Sequence, residues 1–347
     1  MSTEGGTKAV VAALLANLGI AITKFIAFFL TGFSSMLAEA IHSLADSGNQ
    51  LLLLMGGRRA KRAATPEHPF GYGRERYVYA FIVSIVLFSI GGLFALYEAY
   101  HKWHETHDMH DFDPFSDEHG GSAQWWWVPV LVLAVAMVLE SFSFRTAILE
   151  SNKVRGRRKW LEFVRGAKAP ELPVILLEDL AALFGLVFAF LGVGLMLLTK
   201  NPLFDVIGTG LIGLLLVSVA IFLAIEMKSL LLGESASPEH IGRIVAAIES
   251  VDGIDRVIHQ RTLHVGPEEV VVAAKVAVPA GTTAEDIADA INAAEVKARE
   301  AAPDLTLLMY LEPDIDTGTQ ERPAWQHSKT TLTDAADDPL PTSGGGH

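Results

Sequence analysis

The sequence contains no cysteine among its 347 residues, which excludes disulfide bonds and thiolate metal sites. Charged residues are scarce, at 19% of the chain, while half of all residues are hydrophobic. The apolar residues come in long runs, which is not typical of a soluble domain of this size. No cleavable signal peptide is evident, because only Lys8 precedes the first apolar run and no clear cleavage site follows. We therefore expect an integral membrane protein that retains its first apolar run as a span.

Six apolar segments are long enough to cross a bilayer core of about 30 Å, which takes about 20 helical residues. The segments are 8–30, 34–56, 77–100, 125–147, 172–198 and 203–227. Only a few residues join the first two segments and the last two, so each of these pairs is expected to form antiparallel neighbours. The sequence thus predicts an all-α transmembrane bundle of six helices over residues 8–230.

Basic residues are concentrated in two of the five loops between these segments. The loop after the second segment contains Arg58, Arg59, Lys61, Arg62, Arg74 and Arg76, and eight more basic residues lie between Arg145 and Lys168. The loops after the third and fifth segments contain only Lys102 and Lys200. Because basic loops stay on the cytoplasmic side, both termini are expected in the cytoplasm. A bacterial inner (cell) membrane is the expected location.

After Gly233 the composition changes to that of a soluble domain. Periodicity, caps and turn residues predict a helix at 238–250, strands at 254–264 and 270–278, a helix at 283–301 and a strand at 305–311. This α-β-β-α-β order over residues 234–315 predicts a small cytoplasmic α+β domain of the ferredoxin-like type. Residues 316–347 have low hydrophobicity and are predicted to form a disordered tail.

Ionisable residues occur inside two of the apolar segments. His42 and Asp46 are four apart, so one helical face presents an imidazole and a carboxylate. A carboxylate at that depth costs about 2.5–3.5 kcal/mol by insertion scales, which favours a functional role. Glu178 and Asp179 form a second acidic spot, and adjacent residues point about 100° apart on a helix, so only one of them is expected to face a shared site. These residues predict an intramembrane cation site, since zinc takes such ligands.

Each of these interpretations has a plainer alternative. His42 and Asp46 are satisfied structural residues if they form hydrogen bonds to neighbouring helices. Glu178 and Asp179 are simply hydrated if they lie at the cytoplasmic end of their span. A histidine-rich segment, 101–119, is either a weak metal-binding tract or a solvated linker.

Two motifs give the chain a family resemblance. They are Ala38–Asp46 in the second segment, followed there by Ser47–Gln50, and His68–Glu75 before the third. With six spans followed by an α-β-β-α-β domain, the chain resembles the cation diffusion facilitator family of proton-coupled divalent metal exporters over residues 8–314. The resemblance implies a four-ligand transport site in which His42, Asp46 and Asp179 occupy three positions. The fourth position is Ile175, so Glu178 or water is expected to take its place. With Leu177–Ala182 in the fifth segment, this pattern resembles the divergent branch that includes the mitochondrial member grouped with the zinc transporters.

Two further metal sites of that family look incomplete in this sequence. In the loop at His68, the other ligand positions are Thr65 and Tyr72. In the last strand, Tyr310 and Glu312 stand where histidine and aspartate are expected. His259 and His264 remain as candidates, with ordinary surface histidines as the alternative.

The resemblance implies a homodimeric secondary transporter that exports a divalent transition metal by alternating access and proton antiport. A histidine ligand favours zinc over manganese or magnesium. The metal is then a transported substrate, with no prosthetic group, and the partners are the metal, the proton and membrane lipid rather than nucleic acid. A non-transporting metal sensor or scaffold is the alternative. An intramembrane metal hydrolase is disfavoured because no His-Glu-x-x-His stretch exists.

Overall fold

The computed structural model describes residues 3–107, 113–115 and 124–317. For residues 3–16 and 107 it describes the helical backbone only. The described residues form two compact units. The first runs up to Glu234 and includes His264–Glu268, and the second comprises Ser235–Leu263 and the residues from Glu269 on. The predicted tail lies almost entirely outside the described residues, as does much of the histidine-rich segment.

The first unit is helical. Its elements are α1 (Thr3–Thr31), α2 (Ser34–Ala60), α3 (Glu75–Val86), a π-helical segment (Leu87–Leu93), α4 (Phe94–His107), α5 (Val128–Arg155), α6 (Trp160–Gly166), α7 (Glu171–Thr199) and α8 (Leu203–Leu232). Four helical stretches are long and apolar enough to cross a membrane, namely Glu75–Thr106, Val128–Arg155, Glu171–Thr199 and Leu203–Leu232. The protein is therefore a mostly helical integral membrane protein.

The first two predicted spans are helical, but within the described residues neither meets the length and hydropathy of a membrane span. The apolar stretch described in α1, Asn17–Thr31, is shorter than a span. Helix α2 has the length, at 27 residues, but its buried polar side chains, among them Glu39, His42 and Asn49, lower its hydropathy. The count of six spans therefore stays a prediction.

Helix α2 occupies a central position in the first unit, because it contacts α1, α3, α7 and α8. The buried core around these helices includes Met36, Tyr77, Leu186 and Ile212. Helix α7 also contacts α5. The polar face of α2 consequently lies against other helices, and this packing positions the candidate site.

The second unit is a small α+β structure. It consists of α9 (Pro238–Glu249), β1 (Arg256–His264), β2 (Glu269–Ala277), α10 (Ala284–Ala301) and β3 (Thr306–Asp314). Ser237 and Thr283 begin the two helices by accepting hydrogen bonds from the backbone N–H groups of His240 and Asp286.

The sheet of this unit has the order β1-β2-β3. Strands β2 and β3 are parallel, with register from Glu269↔Thr306 to Ala277↔Asp314, and α10 is the crossover between them. Only four residues separate β1 from β2, so these neighbours run antiparallel, since a parallel pair needs a much longer connection. The assignment to the ferredoxin-like type stays a prediction.

Candidate metal site

The four predicted site residues lie on two helices that contact each other. Helix α2 provides His42 and Asp46, and α7 provides Glu178 and Asp179. His42 is fully buried, and Glu178 and Asp179 are 4% and 8% exposed. The side chain of Asp46 is 15% exposed. The acidic pair of α7 is thus largely enclosed by protein in this structure.

Three of the four residues line one small cavity. Asp46, Glu178 and Asp179 surround a space of about 10 Å³, which is close to the room that one water molecule needs. The other lining residues are Asn17, Ile20, Ser43, Gln50 and Glu140. Glu178 and Asp179 both line this cavity, and the expectation that only one of them faces a shared metal site stays a prediction.

His42 lies beside this cavity. Its Nδ1 is 3.5 Å from Oδ1 of Asp46, and neither ring nitrogen has a hydrogen-bond partner within the described residues. The hydrogen bonds to neighbouring helices that would make His42 a purely structural residue are therefore not formed. A Cβ atom added to Gly91 would lie 3.9 Å from His42 Nδ1. The imidazole thus adjoins the π-helical segment, a type of helical irregularity that is frequent at functional sites.

Two neutral side chains orient the carboxylates of α7. Asn49 donates a hydrogen bond from Nδ2 to Glu178 Oε1 at 2.5 Å. Ser143 on α5 donates from Oγ to Asp179 Oδ2 at 2.9 Å. Sequence reasoning missed both residues. Asn49 could have been found, because it lies three residues after Asp46 and shares its helical face, whereas no local pattern indicates Ser143.

The charges at the cavity suit a cation. The carboxyl groups of Asp46 and Glu178 line the same cavity, and Asp179 follows Glu178 in α7. Negative charges buried side by side repel one another, and a bound divalent cation would offset that repulsion. Imidazole nitrogen and carboxylate oxygen are ligands that zinc accepts.

The site is not assembled as a closed coordination shell in this structure. No three His, Asp or Glu side chains in the described ranges are arranged so that they could hold one metal ion. Ile175, at the position where the family resemblance implies a ligand, is partly buried and packs against an apolar cluster that includes Ala147 and Phe163. That position therefore provides no donor.

The incomplete loop site is organised by backbone turns. The N–H of His68 donates to the carbonyl and to the hydroxyl of Thr65, and the Tyr72 ring lies 4.7 Å from the His68 ring. A single histidine beside a threonine and a tyrosine is a poor set of ligands for zinc.

The second unit shows a similar substitution of ligands. His259, Tyr310 and Glu312 all line one surface cavity of this unit. Glu312 pairs with Lys275 at 3.1 Å. The other candidate, His264, belongs to the first unit, and its Nδ1 lies 3.1 Å from the carbonyl of Gly266. The family-type donor set is thus replaced here by an ion pair and a tyrosine.

The histidine-rich segment can be followed only in part. His101 lies 3.5 Å from Glu105, and His104 Nδ1 lies 2.9 Å from the carbonyl of Tyr100. Both contacts span a single helical turn. His110 and His119 lie outside the described residues.

Several known proteins are similar to this chain in sequence. This chain is 34% identical to a Xenopus laevis protein named proton-coupled zinc antiporter SLC30A9, mitochondrial. The match extends over 262 residues, which cover 75% of this chain and 44% of that protein. The Homo sapiens protein of the same name is 32% identical over 259 residues, which cover 74% of this chain and 43% of that protein. Metal tolerance protein C4 of Arabidopsis thaliana is 26% identical over 77% of this chain and 56% of its own length.

The chain spans less than half the length of the two SLC30A9 proteins that it matches. The family model described as the cation efflux transmembrane domain matches residues 10–232, the part that contains α2, α7 and the cavity between them. Members of this family are transporters and not enzymes. The chain belongs to the cation efflux family.

Proposed function

We propose that this chain is a secondary active transporter that exports a divalent transition metal in exchange for protons. Zinc is the proposed metal. The observation that carries the proposal is the cavity where three carboxylates of α2 and α7 meet beside His42. The ligands in this proposal are His42, Asp46, Glu178 and Asp179. Relatives named as proton-coupled zinc antiporters support the choice of metal. Zinc is the cargo, and no prosthetic group takes part.

Competition between metal and proton at these residues provides the coupling. Zinc binds when His42 is neutral and the carboxylates are ionised, so metal binding releases protons and protonation expels metal. We propose that the site opens alternately to the two sides of the membrane. Metal enters from the cytoplasm, and protons from the other side promote its release.

The proposed architecture has six membrane helices over residues 8–230, followed by a cytoplasmic ferredoxin-like domain at 234–315 and a disordered tail. The spans are α1, α2, the α3–α4 helix, α5, α7 and α8. The basic residues of the loops after α2 and α5 support an orientation with both termini in the cytoplasm. The proposal also includes a bacterial inner membrane and assembly as a homodimer.

The absence of cysteine makes the orientation directly testable. Thr65→Cys places a single thiol in the exposed loop between α2 and α3, and Asn201→Cys places one between α7 and α8. A membrane-impermeant maleimide added to intact cells should label Asn201→Cys and leave Thr65→Cys unlabelled until the cells are lysed. The reverse pattern would overturn the orientation.

Transport is tested by flux into proteoliposomes that contain a zinc-sensitive dye and an imposed pH gradient. His42→Ala and Asp46→Asn should abolish zinc flux, while Glu150→Gln, an exposed carboxylate near the end of α5, should leave it unchanged. A protein that binds zinc but moves none across the membrane would instead be a sensor or scaffold. Replacement of Glu178 by Gln should weaken zinc binding about as much as replacement of Asp179 by Asn.

A further inference from the structure

Helix α5 contributes a carboxylate of its own to the cavity. We propose that Glu140, on the fourth predicted span, is a further ligand of the transported metal beside His42 and the carboxylates of α2 and α7. This inference rests on the proposed transport function and extends its ligand set. Glu140 lines the same small cavity as Asp46, Glu178 and Asp179.

The packing of α5 against α7 places Glu140 there. Ser143 follows Glu140 by three residues, so the two share one face of α5. The hydrogen bond of 2.9 Å from Ser143 to Asp179 fixes that face toward α7. Glu140 is thereby directed toward the acidic pair of α7 and not toward lipid.

The cavity has an excess of acidic over basic side chains. Four carboxylates line it, and no lysine or arginine among the described residues forms an ion pair with any of them. The nearby buried ammonium of Lys24 is already paired with Glu39 at 2.9 Å. A buried ionised carboxylate is costly unless a partner is present, and a divalent cation bound among these four would offset part of their charge.

A second observation indicates a ligand independently of the acidic cluster. His42 is fully buried with both ring nitrogens unpartnered, and its Nδ1 faces the unpartnered Oδ1 of Asp46. A buried polar group without a hydrogen-bond partner costs about 1–3 kcal/mol, and a metal bound between these atoms would satisfy both. The combination of one imidazole and carboxylates favours zinc or cobalt over magnesium.

The test uses the full chain purified in detergent. Isothermal titration with Zn²⁺ should show that Glu140→Gln weakens binding at least about tenfold, since even loss of an outer-shell contact costs 10–100-fold. Glu150→Gln on the same helix is the matched control and should bind like the unchanged protein. Equal affinity of Glu140→Gln and the unchanged protein would overturn the inference while leaving the proposed function intact.

A second variant keeps the inference testable if Glu140→Gln does not fold. Glu140→His retains a zinc donor but changes it from oxygen to nitrogen. With Co²⁺ in place of zinc, its visible absorption spectrum should shift relative to the unchanged protein, because the ligand field has changed. An unshifted spectrum would show that residue 140 does not touch the metal. If the unchanged protein binds neither metal, both the transport function and the Glu140 assignment are contradicted. If it binds metal and the Glu140 variants behave like it, the Glu140 assignment alone is wrong.

Discussion

Lys24 and Glu39 form a buried ion pair that joins α1 to α2. The Lys24 ammonium donates to Glu39 Oε2 at 2.9 Å and to Ser43 Oγ at 2.7 Å. Lys24 is 3% exposed and Glu39 is fully buried. Because Ser43 lines the candidate cavity and directly follows His42, the pair holds α1 against the functional face of α2.

Replacement of Lys24 by Met should therefore destabilise the protein strongly. It would leave the Glu39 carboxylate buried without a counter-charge, which typically costs about 3–5 kcal/mol. Unfolding of the purified chain in detergent, followed by its helical circular dichroism, provides the measurement. The double variant Lys24→Met/Glu39→Gln should recover part of the loss, because the orphaned charge is removed as well.

Lys153→Met is the matched control for this prediction. Lys153 pairs with Glu150 on α5, but the two side chains are 67% and 49% exposed. Exposed pairs contribute about 0–1 kcal/mol, so this variant should unfold close to the unchanged protein. Equal effects of Lys24→Met and Lys153→Met would show that the buried pair adds no stability.

Asp205 at the start of α8 caps the start of α2. Its carboxylate accepts hydrogen bonds from the backbone N–H and the hydroxyl of Ser34, both at 2.9 Å, and from the N–H of Ser35 at 3.4 Å. The residue at the capping position, Phe33, has no side-chain oxygen to offer. Asp205→Ala should cost about 0.5–2 kcal/mol, the usual cost of a lost cap.

Hydrogen exchange can localise this effect. In Asp205→Ala the amides at the start of α2 should exchange faster, whereas those at the start of α7 should not change. Asp205→Asn keeps one acceptor oxygen, so its exchange rates at the start of α2 should fall between those of Asp205→Ala and those of the unchanged protein. Equal protection of the start of α2 in Asp205→Ala and the unchanged protein would contradict the capping role.

The starts of α7 and α8 were predictable because a long apolar run is visible in the sequence, whereas α5 and α8 end several residues beyond the predicted segments. The segments predicted at 172–198 and 203–227 correspond to α7 and α8, which begin within one residue of these positions. Helix α6, Trp160–Gly166, was not predicted, because seven residues in a basic loop show no usable period. Tertiary contacts stabilise it: Phe163 is 1% exposed, and the Arg155 guanidinium lies 4.3 Å from the centre of the Trp160 ring.

The candidate site was predictable only where its residues lie close together in sequence. His42 and Asp46 are four apart and indicate a shared face by themselves. Glu140 and Ser143 have no such local signal. Both lie near Asp179 because α5 contacts α7, and Ser143 is 36 residues before Asp179 in the sequence. Helical periodicity does not predict which helices become neighbours.

Close packing of α7 on α8 depends on two glycines. A Cβ atom at Gly192 would lie 2.9 Å from the carbonyl oxygen of Phe204, and one at Gly208 would lie 2.9 Å from that of Phe188. Backbone atoms cannot yield as a flexible side chain can. Gly208→Ala should therefore cost about 1–3 kcal/mol by overpacking, measured by unfolding in detergent.

Gly194 offers a control on α7 itself. An added Cβ there meets nothing within 4 Å, and alanine is a better helix former than glycine by about 1 kcal/mol. Gly194→Ala should therefore be neutral or stabilising. A loss of stability in Gly194→Ala as large as that in Gly208→Ala would indicate that helix flexibility, and not close packing, explains both glycines.

In the second unit, His240 and Asp304 form a contact that should depend on pH. His240 Nε2 lies 2.8 Å from Asp304 Oδ2, and this hydrogen bond holds the pKa of Asp304 below its ordinary value. The ionised carboxylate therefore favours the folded state. Its contribution to stability is present above the ordinary pKa of aspartate and is lost as the pH falls through the lowered pKa. The effect should be small, because the Asp304 side chain is 58% exposed.

His240→Ala should raise the pKa of Asp304 toward its ordinary value, since the strongest hydrogen bond to the carboxylate is removed. The pKa can be measured by a carbon-13 NMR titration of the labelled aspartate carboxyl groups in the full chain. Arg243→Ala is the comparison, because Arg243 Nη2 is 3.8 Å from Asp304 Oδ1 and makes only a long ionic contact, so the rise should be smaller. If the pKa of Asp304 does not change in His240→Ala, or changes more in Arg243→Ala, charge and not the hydrogen bond from His240 sets its ionisation.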